Sequence, residues 1–454
     1  MLVETPAPLR ARPATLAVAC AAPLLALINY TAPMVTLPEA ARALDAGPTG
    51  PVWMLNAVTL GLAVSLLLAG GLADDHGRRR VYVIGMASLA VSSAIVALAG
   101  GVPTFVLGRF AQGVASAALL AASLGVVGEV VPPGPERARA TGRYGAMLGL
   151  GIAIGPLVSG GLAALSSWRG VYWLTAACSV VLAVLAARTL PARPEPRSGR
   201  RSGRRRLDVP GAVTLTLGLA ALVTGVTEAR LGWSRPVVLA ALAAAAVLLT
   251  SFALVEVRRS EPLIDMGLFR RSSFLVATGG ALVTGIAIVG LMSYLPTVLQ
   301  SAVGMTQLAT AAVFALWSGT SFVAALLAPR LRLAARGRLA LGLLLSAAGS
   351  LALLGTTAHW SASRAVAGLL VAGIGSGLVN ASLTHLAIES VPRHRASMGS
   401  GANNTARYVG SSVGAALTAA VTAGQGLAAG TDLMIMACAA AAALTAGLVR
   451  FATS

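Results

Sequence analysis

The chain has 454 residues, of which 56% are apolar and only 11% charged, and its mean hydropathy is +0.81. Soluble globular proteins carry about 25% charged residues, so there is too little charge here to cover a water-facing surface, and a membrane protein follows. All 34 basic residues are arginine, the formal charge is +19, and Cys20, Cys178 and Cys438 stand far apart in apolar segments; this excludes a disulfide framework and a zinc protein, and the positive charge belongs to membrane topology rather than to nucleic acid.

Read from the N-terminus, fourteen stretches are long and apolar enough to cross a bilayer as helices of about 20 residues. They are 15–37, 52–73, 81–100, 103–129, 143–165, 170–189, 209–228, 236–256, 273–299, 307–329, 338–357, 364–388, 397–423 and 430–450. The first follows Arg10 and Arg12 and resembles a signal peptide, but with the others behind it an uncleaved helix is the better reading. Alternating the spans from a cytoplasmic N-terminus places 27 arginines in inward segments and five in outward ones, with Arg109 and Arg407 inside spans. That is a strong positive-inside bias, and it puts both termini in the cytoplasm. The inward segment 191–207, rich in Pro, Gly, Ser and Arg, reads as a solvated tether that sets topology, with contact to anionic lipid as the alternative.

Two segments repeat. Glu129-Val-Val-Pro leads into Glu136-Arg-Ala-Arg-Ala-Thr-Gly, and Glu389-Ser-Val-Pro leads into Arg393-His-Arg-Ala-Ser-Met-Gly. The first joins spans 4 and 5, the second spans 12 and 13. A doubled six-helix unit would separate them by six helices rather than eight, so two helices are inserted, and 209–256 is the natural pair. The expected fold is an all-α polytopic membrane protein. It has an N-terminal segment 1–14, a six-helix bundle 15–189, a basic loop 190–208, linker helices 209–256, a loop 257–272 and a second six-helix bundle 273–454. Repeated halves with a site between them are a transporter's architecture.

The loop after span 2 reads Gly70-Gly-Leu-Ala-Asp-Asp-His-Gly-Arg-Arg-Arg80, in which Gly77 permits a tight turn and Asp74 can accept a charged hydrogen bond from Arg78. Span 4 carries Arg109-Phe-Ala-Gln-Gly113, with a guanidinium inside the apolar zone. Span 5 carries Gly145, Gly149, Gly151, Gly155-Pro156 and Gly160-Gly161, a stripe that admits a neighbouring backbone, with Pro156 removing one helical hydrogen bond. Together these motifs resemble the major facilitator superfamily, with its GxLaDrxGrR loop, its RxxQG helix and the GxxxGPxxGG helix associated with antiporters. Leu207-Asp-Val-Pro-Gly211 and Glu261-Pro-Leu-Ile-Asp-Met-Gly-Leu-Phe269 are similar to its fourteen-helix drug:proton antiporter branch.

The resemblance implies roles. Asp74 and Arg78, with Glu129 and its repeat counterpart Glu389, would form a cytoplasmic gate. Arg109 would serve proton coupling or hold span 4 against span 1, and Gly151, Gly155, Pro156 and Gly160 would shape a hinge in span 5. Three positions depart from the pattern. Asp75 replaces the usual lysine or arginine, and Ser159 stands where the first glycine of the GG pair is expected. In Ile28-Asn-Tyr-Thr-Ala-Pro-Met-Val-Thr-Leu-Pro38, Asn29 takes the place of the aspartate in the branch's LDxTIVNVALP helix, and an amide cannot carry a proton.

All fifteen acids fall in loops or near helix ends. An ionised arginine in hydrocarbon costs about 2.5 kcal/mol or more, so Arg109 and Arg407 should face protein or a water-filled cavity. Span 13 sets Asn403, Asn404, Arg407 and Tyr408 on one polar face. With Asn29, Tyr30 and Thr31 of span 1, Asn56 of span 2, Gln112 of span 4, Trp317 of span 10 and Asn380 of span 12, they are expected to line a central cavity. Such a site, neutral to positive and poor in aromatics, favours neutral or anionic amphipathic compounds over cations. His385, one turn before Glu389, suits proton transfer, with a helix-to-helix hydrogen bond as its plainer role, and Glu129 is a further proton-site candidate. The reading is a secondary transporter of a bacterial inner membrane, exporting small drugs or secondary metabolites in exchange for protons. An importer or facilitator of the same fold and a non-transporting membrane sensor are the alternatives. The sequence calls for no metal or other cofactor, no nucleic-acid partner and no enzymatic activity, since it has no paired carboxylates in a span, no histidine cluster and no nucleotide loop.

Overall fold

The computed structural model describes residues 13–132, 135–191, 208–259, 266–391 and 396–451. In lipid every backbone N–H and C=O needs an internal partner, and continuous apolar runs meet that demand as helices. Among the described residues there is no strand, and sixteen α-helices follow one another along the chain. The first seven are α1 (Pro13–Thr31), α2 (Pro33–Ala43), α3 (Gly50–His76), α4 (Arg78–Ala97), α5 (Val102–Val130), α6 (Pro135–Leu165) and α7 (Gly170–Thr189). A hairpin comes next, α8 (Val209–Glu228) and α9 (Pro236–Arg258). The rest are α10 (Ser272–Thr284), α11 (Leu291–Ala302), α12 (Gln307–Leu327), α13 (Ala335–Leu351), α14 (Ala362–Glu389), α15 (Ala396–Gln425) and α16 (Leu427–Phe451). Among the described residues, eleven helical segments are long and apolar enough to cross a membrane.

Two runs expected as single helices are interrupted. The run 15–37 is α1 and α2 with a break at Ala32, because Pro33 has no N–H to give the Asn29 carbonyl. The run 273–299 is α10 and α11 joined through a π-helical turn, Gly285–Gly290. That turn lets α15 in close, since a Cβ on Gly285 would meet the Arg407 carbonyl. The fifth expected span begins at Pro135 rather than at 143, since Pro135 and Glu136 suit a helix's first turn.

The packing repeats along the chain. Helix α1 lies against α6, α3 against α5 and α4 against α7; later the α10–α11 rod lies against α15, α12 against α14 and α13 against α16. The two sets meet along two seams, α3 with α15 and α6 with α12. The hairpin covers the first seam. Helix α8 contacts α3 and α15, while α9 rests mainly on α8 and turns Val237, Leu239, Val247, Leu254 and Val257 outward. Large apolar side chains cover the outside elsewhere too, with Leu165 85% and Leu448 72% exposed, a surface made for lipid rather than water.

Candidate transport pathway

Pro33 sets up the first polar centre. The Asn29 carbonyl it leaves without a helical donor still needs one, and Arg109 Nη1 of α5 donates to it at 2.9 Å. The same nitrogen reaches Asn29 Oδ1 at 3.0 Å and Gln112 Oε1 at 2.8 Å. Gln112 Nε2 donates in turn to Ser93 Oγ of α4 at 2.8 Å. The guanidinium carbon lies 5.8 Å from the centroid of the Tyr172 ring on α7. Arg109, Asn29 and Gln112 are all 0% exposed. Asn29 and Gln112, expected to line a cavity, are therefore placed inside the first set of helices, where they hold an arginine that joins α1, α4, α5 and α7.

A second polar group lies where the halves meet. Tyr30 Oη and Ser411 Oγ are 3.2 Å apart across α1 and α15, and the Tyr30 and Tyr408 rings meet edge to face at 5.8 Å. Asn56 Nδ2 of α3 donates to the Ser412 carbonyl at 3.0 Å, and Thr405 Oγ1 donates to the Ala63 carbonyl at 3.2 Å. The gap that Tyr30, Asn56, Thr59 and Ser411 border is too narrow for a water molecule. Thr31 turns away from it, its Oγ1 donating to the Leu27 carbonyl at 2.9 Å. Arg407 is half-buried; Nη1 donates to Asn380 Oδ1 of α14 at 3.1 Å and Nη2 to Asn404 Oδ1 at 2.8 Å. Its guanidinium carbon is 5.3 Å from the Tyr408 ring centroid. Asn403 points to the Ala277 carbonyl of α10, at 2.9 Å. The polar face expected on span 13 thus divides, with Asn403 used in packing and Asn404 and Arg407 forming a donor-rich patch. Trp317 packs on Phe314 within α12, with ring centroids 6.5 Å apart.

The two ends of the bundle differ. At one, Gln300 Nε2 donates to the Val35 carbonyl at 2.7 Å and Gln307 Nε2 to Glu39 Oε2 at 2.6 Å. These bonds tie α11 and α12 to α2 beside a surface cleft of 340 Å³. At the other, the expected gate residues engage partners in their own half. Arg78 Nη1 lies 3.6 Å from Glu129 Oε2, and Arg78 also donates to the Gly125 carbonyl, so α4 is held to α5. Glu389 Oε2 lies 3.0 Å from His385 Nδ1, both side chains exposed on α14. The side chain of Asp74 lies outside the described residues.

Helix α6 is wedged between α1 and α12. A Cβ on Gly151 or Gly155 would meet the Leu24 carbonyl or Thr31 Oγ1 of α1; on Gly149 or Gly160 it would meet Phe322 or Ala311 of α12. Pro156 frees the Ile152 carbonyl from the helical ladder. Ser159, where a glycine was expected, donates from Oγ to the Ala32 carbonyl at 2.5 Å and so ties α6 to the α1–α2 break. Ser318 Oγ reaches the Ala153 carbonyl at 3.4 Å across the second seam. Ser411, Thr405 and Ser318 were not singled out in the sequence. Hydroxyls are common in spans, and only the helix lying opposite gives them a role.

Two equivalent sets of helices meeting at a polar seam are the build of a membrane transporter and not of an enzyme. The chain belongs to the Major Facilitator Superfamily, whose pattern matches residues 19–415. It is 33% identical over 422 residues to the puromycin resistance protein of Streptomyces alboniger, covering 90% of this chain and 81% of that one. To the multidrug resistance protein Stp of Mycobacterium tuberculosis it is 31% identical over 392 residues, covering 86% and 72%. A solved bacterial homolog of the human lysosomal transporter Spinster, inward-facing and occupied, matches it with a TM-score of 0.67 at 15% identity over 96% of each chain.

Proposed function

We propose that this transporter exports small amphipathic organic compounds, neutral or anionic, by alternating access in exchange for protons. In this reading it is a fourteen-span protein of the drug:proton antiporter branch, set in a bacterial inner membrane with both termini cytoplasmic. Helices α1 and α2 then count as one span, and α10 and α11 as another. The observation that carries the substrate class is Arg407, half-buried beside the seam and held by asparagine oxygens instead of carboxylates. Amides satisfy its N–H groups without cancelling its charge, so an electron-rich substrate completes the site. Relatives named for puromycin and multidrug resistance support an organic cargo.

The end tied by Glu39 and Gln307 is assigned to the outside, and the end bearing Arg78, Glu129, His385 and Glu389 to the cytoplasm. Outward opening would break the Gln300–Val35 and Gln307–Glu39 bonds. It would bring Asp74, Arg78 and Glu129 toward Glu389, with α6 bending at Gly151, Gly155, Pro156 and Gly160. Proton exchange falls to Glu129 and the His385–Glu389 pair, because the Asn29 amide is committed to Arg109.

Efflux from inverted vesicles with a proton gradient imposed in either sense, using neutral, anionic and cationic amphipathic compounds, tests this. Movement of neutral or anionic members that follows the sign of the gradient is expected. Flux indifferent to the gradient would make the chain a facilitator, the second reading, which the amide at Asn29 favours. No flux of any member would favour a sensor.

A further inference from the structure

The packing repeat makes the turn between α12 and α13 the counterpart of the turn between α3 and α4. Helix α12 lies on α14 as α3 lies on α5, and α13 lies on α16 as α4 lies on α7. The two turns differ in charge. Residues 74–80 hold two acids, a histidine and three arginines, whereas residues 328–338 hold Arg330, Arg332, Arg336 and Arg338 and no acid. In the first half Arg78 lies beside Glu129 of α5; Glu389, its repeat counterpart on α14, lies beside His385 instead. Arg338 Nη1 donates to the Ala328 carbonyl at 2.9 Å and so closes the second turn on itself. Arg330 and Arg332 are exposed, and among the described residues their side chains make no hydrogen bond or ion pair.

The same turn is also apolar. Leu326 and Leu327 are each 47% exposed, Leu331 is 41% and Leu333 46% exposed. At Leu331 the backbone is extended, with φ −73° and ψ 125°. Its neighbours Arg330 and Arg332 are therefore set to one side of the chain and the leucine to the other. In water these four leucines would expose apolar surface at a cost. At a membrane surface they enter the acyl region, while arginines reach the head groups on their own apolar stems. A guanidinium is planar and matches two phosphate oxygens at once. Two of them on one side of an extended segment stand roughly 7 Å apart, close enough to hold one phosphate between them.

We propose that this turn is a binding site for an anionic phospholipid, with Arg330 and Arg332 on the phosphate and Leu331 and Leu333 against the acyl chains. The lipid supplies negative charge of the kind that Asp74 and Asp75 bring to the equivalent turn of the first half. The site stands apart from the seam and depends neither on the cargo nor on proton exchange.

Native mass spectrometry of the full-length protein tests the assignment, after delipidation in neutral detergent and titration with phosphatidylglycerol or phosphatidylcholine of the same acyl chains. The wild type should retain phosphatidylglycerol in preference to phosphatidylcholine. Arg330→Gln/Arg332→Gln should weaken the tightest phosphatidylglycerol site roughly thirtyfold, the loss of two arginine contacts at a lipid surface. Arg204→Gln/Arg205→Gln, which takes the same charge from the basic loop, should leave that site unchanged. Millimolar inorganic phosphate should not displace the lipid, because it brings no acyl chain. Equal retention of the two lipids by the wild type overturns the proposal even where a variant does not fold. Undiminished retention in Arg330→Gln/Arg332→Gln overturns it as well, as does an equal loss in the loop variant, which would make net charge the only attraction. Displacement by inorganic phosphate would assign the site to a free anion rather than to lipid. Efflux is not the readout, so failure of the antiport reading leaves this test intact, and the reverse holds too.

Discussion

The two arginines inside the helices, Arg109 and Arg407, have the same partner chemistry and opposite surroundings. Arg109 directs one nitrogen to three oxygens within 3.0 Å and is 0% exposed, walled in by α1, α4, α5 and α7. Arg407 spreads two nitrogens over Asn380 and Asn404 and remains half-buried at the joint between the halves. Both are bonded to amide and carbonyl oxygens, which leave the charge in place, and Arg109 Nε and Nη2 are buried without a hydrogen bond. An enclosed charge of this kind can only hold helices together, whereas one that borders an interface can also meet a solute. Residue type and bonding partners therefore do not set the role; the room around the guanidinium does.

The sharpest way to break this contrast is Arg109→Ala. It strands the Asn29 and Gln112 oxygens without their donor, at about 1–3 kcal/mol for each buried group. The expected result is a large drop in folded protein in the membrane and in the thermal midpoint after solubilisation. A variant as stable as wild type would show that the enclosed arginine holds nothing.

Arg407→Ala should fold normally and lose transport instead. A charge-assisted hydrogen bond is worth about 1.5–3 kcal/mol, so anionic substrates should need roughly tenfold to hundredfold higher concentration for half-maximal efflux, and neutral ones less. Unchanged anion transport would remove the distinction between the two sites.

Smaller still is Pro33→Ala, which restores an N–H that competes with Arg109 for the Asn29 carbonyl. The exchange of one buried hydrogen bond for another should move stability by about 1 kcal/mol, read as a modest change in midpoint that becomes a clear rise in an Arg109→Ala background, where the Asn29 carbonyl has no other donor. His385→Gln comes last. The side chain is exposed, so stability should stay within about 0.5 kcal/mol of wild type. Gradient-driven efflux should fall while downhill flux persists.

Much of this was legible in the sequence. The apolar runs announced the helices, the Glu-x-Val-Pro repeat announced the doubling, and the glycines around Pro156 announced a helix that neighbours approach closely. The site was less legible. Asn29 and Gln112 are amides that suit a cavity wall as well as a packed interior, and nothing local separates the two. The break at Ala32 hangs on Pro33, but its consequence, a bare carbonyl offered to Arg109, depends on α5 lying beside α1. Arg330 and Arg332 read along the chain as topology, and only the packing repeat sets their acid-free turn against its counterpart at 74–80.

The sequence by itself determined the environment, the helical class and the family of this protein. Transfer of a residue into lipid and the bias of arginine toward one face are properties that act position by position along the chain. Only the tertiary structure decided which polar side chains are spent inside a half and which border the seam. Those outcomes depend on what lies across from each residue, and inside a membrane, where a polar group must find its partner on a neighbouring helix, that pairing is a matter of three-dimensional packing.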